Sequence, residues 1–270
     1  MLLYTLQQNK NNPDTQFYIS GKVYAFDVNK RLINFHKAVQ SHPKELHKNI
    51  KALLQKYERC TSTESRRLFF NAVRSTMNSD KVAVGDSASA LSVLSTDGAK
   101  KVHQAAMLWF LNKTCYGSMY RENRKGDFNV AFNKTRGHVR CPSLAHICAV
   151  SDLIRPVVFQ CCDYKDALAT LLPILNSSDL LFMDPPYANS KLMYVGGILF
   201  DQKYFSGTML PLIQKSGLKV IITNSDTSDY SAEGYKQTYI HTKVTLSKKV
   251  DSVVVRAKRR ESLFINYTTR

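Results

Sequence analysis

No glycine precedes Gly21, and the 11 glycines of this 270-residue chain include no Phe-x-Gly-x-Gly segment. The close backbone approach to a ligand that such a loop permits has no residues here to make it. Zinc-binding spacings are missing too. Cys60, Cys115, Cys141, Cys148, Cys161 and Cys162 form no C-x-x-C pair, and no histidine cluster completes a zinc pattern. Reduced thiols and no metal are expected. Apolar runs are too short to span a bilayer, and "MLLYTLQQNKNN" lacks the basic start and long apolar core of a signal peptide. A cytoplasmic or comparable intracellular location is expected, with no membrane partner. Tryptophan occurs once, at Trp109, inside a helical pattern where a core role is expected. Acidic residues are few, 21 against 38 Lys and Arg, for a formal net charge of +17. The excess runs along the chain, so a polyanion, most simply nucleic acid, is the expected partner.

With 44% hydrophobic residues the chain can bury a sizeable core, as one large domain or a domain with an insertion. "KVYAFDV" reads as a strand ending at Asp27, followed by a basic amphipathic helix, "NKRLINFHKAVQ". "PKELHKNIKALLQKY" starts with a proline suited to a first helical turn, and "TSTESRRLFFNAVRSTM" reads as a capped helix. "AKKVHQAAMLWFLN" is a further helix before the polar, basic stretch 113–137. "PVVFQCCDY" then reads as a strand closing on Asp163, and "KDALATLLPIL" as a helix ending near Pro173. "DLLFMD" and "KVIITNSD" read as buried strands, separated by a partly helical segment that Gly217 stops. Strands alternating with helices predict an α/β sheet carrying a mainly helical insertion.

Three predicted strands end in a carboxylate: Asp27, Asp163 and Asp184. Ligands of open α/β sheets sit beyond the carboxyl ends of the strands, so these acids are expected to converge on one crevice. Asp27 is placed to accept from a ribose hydroxyl, or to cap the next helix. Asp163 is placed to accept from an adenine amino group, or to serve as an ordinary N-cap.

"LLFMDPPYANS", residues 180–190, is the most specific signal. Average residue usage makes a chance DPPY in a chain this long roughly a one-in-a-thousand event. An exocyclic amine on a base is a poor nucleophile, because its lone pair is delocalised into the ring. Two acceptors facing that amine favour a pyramidal nitrogen. Asp184 supplies one acceptor and the Pro185 carbonyl the other, while Pro185 and Pro186 restrict the backbone in advance. Tyr187 is placed to stack on the base.

Together these residues resemble the Dam-like, DPPY-type site-specific DNA adenine-N6 methyltransferases. "NKTCYGSMYRENRKGDFNVAFN" (112–133) resembles that family's hallmark segment, "YAFDVNKRLINFHKAVQSHPKEL" its second cofactor motif, and "FQCCDY" its adenine-contacting strand. "VIITNSD" and "VVVRAKRRESLFINY" are similar to later family features. The resemblance implies a Rossmann-like, S-adenosylmethionine-dependent methyltransferase sheet (1–42 and 138–270) with an inserted helical DNA-recognition subdomain (43–137). It implies methyl transfer to N6 of an adenine flipped out of duplex DNA, as in restriction-modification. Action as a monomer is the default expectation, and the sequence does not distinguish bacterial, phage or viral origin. Cofactor binding would fall to Asp27, Asp163, Tyr164 and Asp184, and catalysis to Asp184, Pro185, Pro186 and Tyr187. Tyr116 and Met119 match positions that wedge into the duplex, and Arg121 a base-reading arginine. Arg124, Lys125, Lys134 and Arg136 read as phosphate contacts.

Two departures stand out. Gly117-Ser118 replaces the family's common Asn-Gly, and the first cofactor motif with its glycine loop is missing. Residues 1–20 resemble the helix that follows that loop. The expectation is therefore either a chain that begins after the first motif, or an inactive DNA-binding relic. Either way, apolar sheet surface should be uncovered.

Overall fold

The structure, a computed structural model, describes residues 19–79, 96–135, 137–187, 200–225, 228–250 and 253–267. These fall into two compact units that divide between Ala167 and Leu168. Arg136, expected to touch phosphate, lies outside the described residues.

The first unit opens with β1 (Val23–Asp27) and α1 (Lys30–Ser41), followed by α2 (Pro43–Glu58), α3 (Thr63–Ser79) and α4 (Thr96–Thr114). Pro43 occupies the first turn of α2, where its missing N–H costs nothing. Leu46, Ile50, Leu53, Leu54 and Tyr57 then line one face at helical spacing and are buried. Each such side chain contributes about 1.5–3 kcal/mol of transfer free energy. α3 is capped by a reciprocal serine pair, with the Ser65 amide donating to Ser62 Oγ at 3.0 Å and the Ser62 amide to Ser65 Oγ at 3.2 Å. Trp109 is partly buried against the core, as expected.

α5 (Leu144–Ile154), which periodicity had not singled out, leads into β2 (Val157–Cys161). β2 lies parallel to β1 with Val23 opposite Val157 and Asp27 opposite Cys161. Gln40 fixes this corner by donating to the carbonyls of Ile154 and Val157, both at 2.8 Å. One hydrophobic core joins Val23, the four helices after it and Phe159. The segment 43–137 thus shares its core with the β1–β2 pair.

The second unit contains β3 (Leu180–Met183), a helical run that ends in α6 (Leu210–Lys215), and β4 (Lys219–Ser225). Gly217 closes that run with φ +72°, the left-handed conformation a stop requires. β5 (Lys236–Val250) and β6 (Val253–Ile265) pair antiparallel along most of their length. The sheet order is β3-β4-β6-β5, with β3 parallel to β4 and the other neighbours antiparallel. The architecture is mixed α/β, as expected.

β4 is the buried strand that its sequence predicts, with Val220, Ile222 and Asn224 fully enclosed. β3 differs. It pairs only with β4 among the described residues, and none of its four residues is buried. Leu180 is 53% exposed and Phe182 41%. An apolar run does not distinguish an interior strand from an edge; the neighbours decide that.

Candidate active site and nucleic-acid interface

At the carboxyl end of β3 the chain passes from Met183 into Asp184, which is exposed, and then into buried Pro185 and half-buried Pro186 and Tyr187. The Thr223 hydroxyl donates to Asp184 Oδ1 at 2.6 Å and lies 3.4 Å from the Met183 carbonyl. Thr223 follows Ile222, the parallel partner of Met183, so the register itself brings hydroxyl and carboxylate together. Behind it, fully buried Asn224 donates to the Tyr230 hydroxyl at 2.8 Å, and Gln202 donates to the same oxygen at 2.9 Å. Burial pushes the Tyr230 hydroxyl above its ordinary pKa, so it stays protonated. The Asp184 carboxylate is thus held on one oxygen by Thr223 and open to solvent, while Asn224, the next residue of β4, ties the opposite face of the strand to Tyr230. Thr223 was not singled out from sequence; its signal is a hydroxyl at the end of an otherwise apolar strand.

In the first unit, the parallel register sets Asp27 beside Cys161, two residues before Asp163. Both acids therefore stand at the carboxyl end of the β1–β2 pair. Helix capping after β1 belongs to Asn29, whose Oδ1 accepts from the amides of Arg31 at 3.0 Å and Leu32 at 3.1 Å. Asp27 instead accepts from the Asn29 amide at 2.7 Å. Burial raises its pKa, partly offset by that amide and by His36. Asp163 does cap a helix, accepting from the Lys165 amide at 2.9 Å, with Tyr164 as that helix's first residue. Asp184 stands in the second unit.

The basic stretch after α4 is a folded hairpin, not a loop. Cys115 bridges Phe132 and Glu122 bridges Phe128, both antiparallel. Tyr116 donates its amide to Ala131 at 2.8 Å, and Asn129 to Arg121 at 3.1 Å. The tip is an Asx turn in which Asn123 Oδ1 accepts from the amides of Lys125 and Asp127. Tyr116 is 64% exposed and Met119 47%, a large apolar area for a surface turn. Gly117 and Ser118 between them adopt φ of +63° and +52°. Arg121, Arg124, Lys125 and Lys134 are all exposed. Arg121 is pre-oriented, because its Nε donates to Asn129 Oδ1 at 2.8 Å. Glu122 points the other way and is buried against Arg31 at 3.0 Å, a contact unmarked in the sequence.

Among the described residues no helix is long and apolar enough to cross a membrane, and no group of three or more His, Cys, Asp or Glu is placed to hold a metal ion.

Residues 15–248 match the family of D12 class N6 adenine-specific DNA methyltransferases, and the chain belongs to that family. It is similar to the type II methyltransferase M.MjaIII of Methanocaldococcus jannaschii, 24% identical over 82% of this chain and 71% of that one. It is 27% identical to the DNA N-6-adenine-methyltransferase of Escherichia phage P1 over 84% of this chain, but over only 27% of the phage protein. The retron Ec67 DNA adenine methylase of Escherichia coli shares 27% identity over 46% of this chain and 42% of its own length.

Proposed function

We propose that this chain transfers a methyl group from S-adenosylmethionine to N6 of an adenine flipped out of duplex DNA. The observation that carries the proposal is the exposed Asp184 carboxylate, held by Thr223 at the mouth of a proline-locked turn. With one oxygen fixed, the other oxygen and the Pro185 carbonyl are the two acceptors an amine needs to free its lone pair. Positioning of this kind is most of what such a transfer requires of the protein, because S-adenosylmethionine, when bound, supplies an already activated methyl group. The donor set of that cofactor suits the acids present. Asp27 would take a ribose hydroxyl, and Asp163, with Tyr164 beside it, the adenine edge. Burial of Asp27, only partly offset by the Asn29 amide and by His36, costs stability that a ligand's hydroxyl donors would offset.

The segment 43–137 is assigned to DNA recognition, with the 115–132 hairpin as the reading element. Tyr116 and Met119 would enter the duplex, Arg121 would read a base, and Arg124, Lys125, Lys134 and Arg136 would hold phosphates. The β1–β2 pair and the mixed sheet of the second unit support a Rossmann-like methyltransferase sheet.

The test is methyl transfer from labelled S-adenosylmethionine into duplex DNA, with products identified as N6-methyladenine. Asp184→Ala should abolish transfer and leave DNA affinity within about threefold. DNA binding by the wild type without transfer would instead establish a non-catalytic DNA-binding protein.

A further inference from the structure

The N-cap of α1 and the 115–132 hairpin meet at a buried polar knot. Arg31, in the first turn of α1, donates to Glu122 Oε1 at 3.0 Å, to the Gly126 carbonyl at 2.8 Å and to Asn78 Oδ1 at 3.3 Å. Its side chain is 18% exposed and that of Glu122 only 5%. Tyr120 donates its hydroxyl to Glu122, and the same hydroxyl lies 3.4 Å from Asn29 Oδ1. Asn78, from α3, clasps the far strand by exchanging bonds with Phe128, accepting from its amide at 2.9 Å and donating to its carbonyl at 3.0 Å.

Asn29 is the shared member. Its side chain caps α1 beneath Tyr120, and its amide donates to the Asp27 carboxylate. The path from Asp27 to the hairpin therefore runs through one side chain and one ion pair. On the hairpin, adjacent residues of an extended strand face opposite ways. Glu122 enters this knot and Arg121, its neighbour, is exposed.

We propose that Arg31, Glu122 and Tyr120 are positioning residues that couple the cofactor end of β1 to the DNA-reading hairpin. Cofactor hydroxyls drawn onto Asp27 steady Asn29, and Asn29 with Tyr120 and Glu122 steadies the strand that presents Arg121. A buried pair of this kind has discrete arrangements rather than a continuum, because either ion left unpaired is strongly disfavoured. Coupling through it is reciprocal: the cofactor raises DNA affinity by the same factor as DNA raises cofactor affinity. The inference rests on the functional reading above.

The experiment is a binding cycle. Affinity for S-adenosylhomocysteine is measured by calorimetry with and without duplex. Affinity for a fluorescein-labelled duplex, selected from a random pool, is measured with and without S-adenosylhomocysteine. The wild type is expected to show a coupling factor of at least about fivefold. Tyr120→Phe removes one hydroxyl while keeping the ring against Phe128. It is expected to bring the factor within about twofold of unity and to leave affinity for duplex alone within about threefold. Glu122→Gln keeps an acceptor for both Tyr120 and Arg31 but leaves the Arg31 cation without its counter-charge, and is expected to lower the coupling factor as Tyr120→Phe does; the full wild-type factor in this variant would overturn the role of the ion pair. Should Glu122→Gln fail to fold, Tyr120→Phe still decides. A wild type that binds both ligands with a factor of one overturns the coupling alone, as does a Tyr120→Phe protein with the full wild-type factor. A wild type that binds neither ligand overturns the functional reading, and this inference with it.

Discussion

Thr223 and Asp184 are 39 residues apart in the chain, yet the hydroxyl of one donates to the carboxylate of the other at 2.6 Å. The bond leaves the carboxylate a single orientation in an exposed turn. Thr223→Val keeps the β-branched shape and removes only the donor. Because the site is open to water, the loss should sit at the low end for a charged hydrogen bond, about 1–1.5 kcal/mol. The expected outcome is a five- to tenfold lower kcat with DNA affinity unchanged, read from steady-state methylation and a parallel binding titration.

Asp27 makes a pH-dependent forecast. Its pKa is raised in the folded chain, chiefly by burial, so only between the ordinary value and the folded one does the native state hold a proton that the unfolded state has released. Stability attributable to this group is therefore intact below the ordinary value of 3.8 and is lost as pH rises through the folded value. Asp27→Asn, which keeps an acceptor for the Asn29 amide, should melt above the wild type at pH 7. The difference should close as the pH falls toward 3.8. The same variant should bind S-adenosylhomocysteine more weakly. A stability gain paired with a binding loss is the signature of an acid kept for function.

Ser118 carries φ +52°, a conformation that costs a residue with a Cβ about 1–2 kcal/mol. Ser118→Gly removes that strain, partly offset by the added freedom of the unfolded chain. A net gain of roughly 0.5–1 kcal/mol is expected in denaturant midpoints. Gly117→Ala should do the reverse, since Gly117 has φ +63° and an added Cβ would meet Met119 Cγ at 3.4 Å.

The two kinds of basic residue on the hairpin should separate by their salt dependence. Arg121→Ala is expected to relax sequence choice by about 1–3 kcal/mol at one base pair. Lys125→Ala should weaken all duplexes alike and reduce the salt slope by about one. Asn129→Ala releases the Arg121 guanidinium and should mimic Arg121→Ala in part; selection from a random duplex pool checks all three.

Much of the fold was legible where a pattern repeats within one element. Pro43 and the helical spacing of Leu46, Ile50, Leu53 and Leu54 located α2, and Gly217 marked the end of α6. DPPY located the candidate catalytic turn, because proline and carboxylate act there through local backbone restriction. α5 escaped notice, since its Ile147, Ser151 and Ile154 face mixes polar and apolar residues. The hairpin at 115–132 read as loop because its pairing is sparse and its tip turns on an Asx motif.

The sequence by itself determined α1 to α4, the apolar strands β1 to β4 and the DPPY turn that makes Asp184 the candidate catalytic residue. All of these follow from periodicity and side-chain type over short stretches. Tertiary structure alone decided that β3 pairs only with β4 among the described residues, that Thr223 holds Asp184, and that Arg31 reaches Glu122 across 91 residues of chain. The physical reason is that a strand's neighbours and a buried ion's partner depend on the path of the whole chain, which no local pattern encodes.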